Sequence, residues 1–207
     1  MVSVQSVSNY FARKLASKVP NEYPTVEDQV QVYEYGLMAI LGSLVKGFLL
    51  VAISSLFGVL LLSLVTTITF SSLRVLAGGY HLSTFKSCMI MSLTQFIGSA
   101  LIIIHTYQYW SIQNIYSLLF FCILMTLYII FRYIPRDTPN KPITDILEIN
   151  KFKKWSFYYL LSWTIMMTIF LLLGWKLIVI ASCFGLLLEL FSISILGQIV
   201  YSIINNI

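Results

Sequence analysis

Residues 36–73 form a 38-residue stretch that contains one charged residue, Lys46. A single membrane-spanning helix needs only about 20 apolar residues. The stretch therefore reads as two consecutive spans, divided near Ser54-Ser55. Further apolar runs at residues 88–105, 112–131, 155–173 and 177–196 bring the expected number of spans to six. Composition agrees: 58% of the chain is hydrophobic and 10% is charged, with mean hydropathy +0.87, where ordinary globular chains carry about 25% charge. The predicted class is an all-α integral membrane protein, a single polytopic domain over residues 1–207 with six transmembrane helices and an N-terminal amphipathic segment.

That segment places Val4, Val7, Phe11 and Leu15 at helical spacing, with Arg13, Lys14 and Lys18 on other faces. The pattern suits a helix lying on an anionic membrane surface. Pro20 and Pro24 end it, and Thr25-Val26-Glu27-Asp28 resembles a capping box that opens the next helix. Residues 1–33 contain no continuous apolar stretch of the kind a secretory signal needs.

The net charge of +5 is explained by membrane topology and not by nucleic acid. With the N-terminus inside, the inner segments hold Arg13, Lys14, Lys18, Arg74, Lys86, Arg132, Arg136, Lys141, Lys151, Lys153 and Lys154, and the outer connections hold only Lys176. Such a bias sets both termini and residues 74–88 on the cytoplasmic side. The longest inner connection, residues 132–153, carries Pro135, Pro139 and Pro142 among mixed charges. Lys46 and Glu189 fall inside spans at similar depth, and an ion pair between them is expected, since intramembrane charges are usually paired or functional.

Chemistry concentrates in residues 74–88, where an arginine, a glycine pair, a histidine and a cysteine meet. Cysteine peptidase chemistry needs a thiolate, an imidazole to take and return the proton, and donors for the oxyanion. His81 and Cys88 are seven positions apart, which on an unbroken helix separates them by about 10 Å along the axis. A dyad needs contact near 3 Å, so the backbone must bend. Gly78-Gly79 and the possible caps Ser83, Thr84 and Ser87 provide the means. Cys88 then falls in the first turns of the third span, where a helix N-terminus favours thiolates. Taken alone, each feature has a plainer default: an interfacial histidine, a glycine turn, and Arg74 as a snorkelling anchor. Two nearby ligands fall short of a zinc site. Cys122 and Cys183 read as small buried hydrophobes.

The pattern Arg74-x3-Gly78-Gly79-Tyr80-His81-x2-Thr84-x3-Cys88 resembles the signature of the AgrB family (accessory gene regulator B), bacterial membrane endopeptidases. The resemblance extends to Val32-Tyr33-Glu34-Tyr35-Gly36 and to Pro135-x-Asp137-Thr138-Pro139-Asn140-Lys141-Pro142-Ile143. Departures are Leu82-Ser83, where alanine and a polar or basic residue are common, and a single Lys141, where some members have a basic cluster. What the resemblance implies is a bacterial cell-membrane enzyme that processes an AgrD-like quorum-sensing propeptide. It would cut off the C-terminal tail and allow the remainder to close into a thiolactone or lactone. Cys88 would be the nucleophile and His81 the general base, with Arg74, Gly78, Gly79, Lys141 and Pro142 binding or supporting. No metal and no organic cofactor is implied; lipids and a homodimer partner are compatible with it.

Two other classes compete. A non-enzymatic peptide exporter or permease component would use residues 74–88 only as a gating loop. A membrane metalloprotease of the prenyl-endopeptidase type would have to draw ligands from Glu189 and His105, which are too few.

Overall fold

The computed structural model describes residues 4–18, 26–79, 82, 84–136 and 145–205, and it is helical almost throughout. Among the described residues, six helices are long and apolar enough to cross a membrane. The chain contacts divide into two compact units, residues 1–52 and 53–207.

In the first unit, α1 (Val4–Ala16) packs on the early turns of α2 (Val26–Leu56). Ala12 and Ala16 are buried against Val30, with Tyr33 and Leu37 alongside. Small residues four apart let the two backbones approach along one face. Asn9 Nδ2 donates to Glu34 Oε2 at 2.6 Å, and Arg13 reaches Glu27 at 3.3 Å. Tyr10, Phe11 and Leu15 stay exposed, so α1 keeps an apolar face free for the membrane boundary. At about 1.5 Å per residue, the 31 residues of α2 exceed the ~30 Å hydrocarbon layer. Its acidic first turn, Glu27 and Asp28, suits an aqueous end.

The second unit holds α3 (Leu60–Ala77), α4 (Phe85–Thr106), α5 (Ile112–Arg132), α6 (Ile146–Leu172), α7 (Lys176–Ile193) and α8 (Ile195–Asn205). Helix α7 is its axis, packing against α3, α4, α5, α6 and α8. Of its most apolar window 61% is buried inside the protein, against 28–33% for α3 to α6. That window is therefore surrounded by protein, whereas the other four helices present most of their surface outward. Interhelical packing here relies on small and hydroxylated residues, as expected where lipid removes the hydrophobic drive between helices. The Gly185 backbone lies against the Thr66 carbonyl, where a Cβ would collide. Thr66 Oγ1 donates to the Ala181 carbonyl at 3.2 Å. The Ser182 hydroxyl meets Thr69 Oγ1 at 2.9 Å and accepts from Trp163 Nε1 at 2.8 Å.

Three boundaries differ from expectation. The turn between the first two spans falls at Phe57-Gly58-Val59 and not at Ser54-Ser55. Gly58 takes φ +68° there, and Val59 N and Gly58 N return to the carbonyls of Ser54 and Ser55 at 2.9 and 3.0 Å. This is a Schellman closure, which a positive-φ glycine makes accessible. Helix α6 begins at Ile146, well inside the expected 132–153 connection, because Asp145 caps it by accepting from Leu147 N at 2.9 Å. The last apolar run, expected to 196, breaks at Ser194 and restarts as α8. The Ser194 hydroxyl accepts from Gly197 N at 3.0 Å, and Gly197 is pressed against the Phe191 carbonyl.

Candidate active site

Helix α3 ends at Ala77, and the backbone leaves it through two glycines with φ of +77° and +147°. L side chains rarely adopt either value. Gly78 is in addition bracketed by Arg136: Arg136 N donates to the Ala77 carbonyl at 2.8 Å, and the Arg136 carbonyl occupies the space of a Gly78 Cβ. A short parallel bridge thus ties Gly78, just after α3, to Arg136, just after α5. Helix α3 stops at Ala77 and α4 starts at Phe85, so one unbroken helix does not run through to Cys88.

Thr84 caps the new helix. Its backbone is extended and its hydroxyl accepts from Ser87 N at 3.1 Å. Cys88 N makes the first intrahelical bond, to the Thr84 carbonyl, at 3.1 Å. The Cys88 thiol is free of any disulfide and half-buried, in contrast to Cys122 and Cys183, which are fully buried. It sits in the opening turn of α4. Tyr80, His81, Ser83, Lys141 and Pro142 lie outside the described residues.

Arg74 occupies the last turn of α3 and points into the protein. Its Nη1 donates to Glu189 Oε2 and to Ser192 Oγ, both at 3.0 Å. Ser192 Oγ itself donates to Glu189 Oε2 at 3.0 Å, closing a triangle. The guanidinium also lies 5.3 Å from the Phe70 ring centroid, within cation–π range. Glu189 is wholly buried, and its Oε1 has no hydrogen-bond partner among the described residues. Glu189, for which Lys46 was the expected partner, pairs with Arg74, which a snorkelling reading had turned toward water.

Helix α8 closes over this region. Arg136 Nη2 donates to Gln198 Oε1. The Tyr201 hydroxyl accepts from Gln95 Nε2 at 3.0 Å. Gln95 is seven residues past Cys88, on the same face of α4. Burial pushes the Tyr201 phenol above its ordinary value, against the bond from Gln95 and the Arg74 charge, which both lower it. Ser192, Gln198, Gln95 and Tyr201 were not singled out in the sequence.

The fold and these contacts define a multi-pass all-α membrane protein with a half-buried cysteine at a capped helix start and a glycine pair packed beside a buried arginine–glutamate ion pair. The sequence model of the Accessory gene regulator B (AgrB) family matches residues 8–193, and the chain belongs to that family. It is similar to two Clostridium perfringens proteins named AgrB-like, one from strain 13 and one from strain SM101. Each is 22% identical over 205 residues, covering 94% of this chain and 95% of the relative. No solved structure matches.

Proposed function

We propose that this protein is a membrane cysteine endopeptidase that processes an AgrD-like propeptide from the cytoplasmic face. The observation that carries the reading is the position of Cys88: a half-buried thiol in the capped first turn of α4, seven residues after the histidine of the family-like pattern. The Cys88 thiolate attacks the scissile carbonyl, and the peptide C–N bond breaks as the His81 imidazolium protonates the departing amine. The N-terminal part of the propeptide remains on Cys88 as a thioester. A cysteine or serine side chain within that peptide then attacks the thioester, closes the ring and returns the thiolate to Cys88. Exclusion of water at the membrane boundary favours closure over hydrolysis. Lys141 and Pro142 contribute to substrate contact.

The test is co-expression with an AgrD-like propeptide, followed by mass spectrometry. Wild type releases the tail and a core lighter by one water than the linear form. Cys88→Ala yields neither, whereas cleavage that survives Cys88→Ala rules the mechanism out.

A further inference from the structure

We propose that Glu189 is a positioning residue for the cysteine–histidine chemistry, acting through Arg74 and Ser192 on the glycine turn that leads to His81. The inference rests on the proposed role of Cys88 and adds a residue that role does not include. A carboxylate with no exposure, on the most buried helix of the protein, is costly unless compensated. Arg74 supplies the compensation, and the geometry goes further than charge. The same Nη1 that bonds Glu189 also bonds Ser192 and rests against the Gly79 backbone. A Cβ built on Gly79 would stand 2.8 Å from Arg74 Nη1 and 2.8 Å from Ser192 Oγ. Gly79 is thus seated on the Arg74–Glu189–Ser192 triangle, while Gly78 is held from the other side by the Arg136 backbone.

His81 follows Gly79 by two residues, a reach of at most about 7 Å, so a displaced seat moves the imidazole with it. A misplacement near 1 Å costs catalysis about 10²-fold. Glu189 does not touch substrate in this scheme; it fixes the Gly79 end of the segment that carries His81. One chain of contacts would then account for an arginine, a glycine and a glutamate standing on three different elements.

The test uses the full-length protein in lipid nanodiscs and compares wild type, His81→Ala, Glu189→Gln and Ser192→Ala. Two rates are read: alkylation of Cys88 by iodoacetamide at neutral pH, by peptide mapping, and cleavage of the propeptide tail. Continued protection of the buried Cys122 and Cys183 reports an intact bundle. With the bundle intact, Glu189→Gln is expected to slow Cys88 alkylation to the His81→Ala rate and to lower cleavage at least about 10²-fold, the low end for general acid–base transfer. Ser192→Ala moves both rates in the same direction by less, and it decides the matter if Glu189→Gln fails to accumulate. Wild-type alkylation in the folded variant overturns the proposal. So do equal rates in wild type and His81→Ala, since no base would then be there to position. Alkylation needs no propeptide, so a wild type that alkylates in a His81-dependent way but cleaves nothing counts against the substrate reading alone.

Discussion

Arg74 on α3 and Glu189 on α7 meet at 3.0 Å, with 18% of the arginine side chain and none of the glutamate open to the surroundings. The pair joins the last turn of the helix preceding the glycine turn to the central helix of the bundle. Ser192 bonds to both partners, which ties the geometry of the pair to the end of α7. This contact links the stability of the bundle to the geometry of the Gly78-Gly79 turn.

Removing one partner of a buried pair leaves an uncompensated charge and costs about 3–5 kcal/mol. Arg74→Ala is therefore expected to lower the thermal midpoint in detergent strongly and to reduce accumulation in the membrane. Arg74→Lys keeps the charge but replaces the rigid, planar guanidinium, whose Nη1 serves both Glu189 and Ser192, with a compact, freely rotating ammonium. It should accumulate near wild-type levels and still process propeptide poorly. Wild-type processing by Arg74→Lys would show that charge alone is needed.

Gly185 and Gly98 offer a contrast in packing. A Cβ at Gly185 would strike the Thr66 carbonyl, whereas a Cβ at Gly98 meets nothing within 4 Å. Gly185→Ala must push α3 away from α7 and is expected to cost about 1–3 kcal/mol. Gly98→Ala should leave stability unchanged or raise it by up to about 1 kcal/mol through helix propensity. Midpoints from thermal unfolding of the two purified variants check the difference in sign.

How much of this could be read from one chain follows from the range of each signal. Six spans are legible because hydropathy is local and each run is long enough to declare itself. The bend at Gly78-Gly79 and the cap at Thr84 were legible too, since turn and cap chemistry act over three or four residues. The partner of Glu189 was not, because Arg74 lies 115 positions away and periodicity carries no pairing information. Lys46 was the obvious candidate only because it too falls within an apolar run. Helix α8 was hidden for a different reason: Ser194 interrupts an apolar stretch without a charge or a proline, and one serine does not announce a break. At Asp145 the charge density of the neighbouring residues suggested a loop, while the aspartate with Glu148 three positions on was a helix start.

Tyr201 makes stability sensitive to alkali. Burial holds its hydroxyl protonated above the ordinary tyrosine value, so its contribution is fully present below the unfolded value near 10. As pH rises past that point the unfolded chain loses its proton first, and the contribution falls. Tyr201→Phe loses the bond to Gln95, worth about 1 kcal/mol, and also loses the alkaline sensitivity. Wild type should be the more stable of the two at neutral pH, with the gap narrowing above about pH 10. Midpoints measured across that range decide it; a gap that stays constant would remove Tyr201 as the cause.

Helix α8 is expected to be needed for activity although it begins beyond the residues matched by the family model. Its first turn is packed so closely on the end of α7 that a Cβ at Gly197 would collide with the Phe191 carbonyl, so Gly197→Ala must lift the helix or bend its start. Either shift carries Gln198 away from Arg136 and Tyr201 away from Gln95. The Arg136 segment would then lose its side-chain anchor while keeping its backbone bridge to Ala77 and Gly78. Ser194→Ala is milder: it removes the cap on Gly197 N at a cost of about 1 kcal/mol without forcing displacement. Propeptide cleavage in membranes should therefore fall in the order wild type, Ser194→Ala, Gly197→Ala. Equal cleavage by all three would show that α8 is a membrane-surface appendage with no part in holding the site.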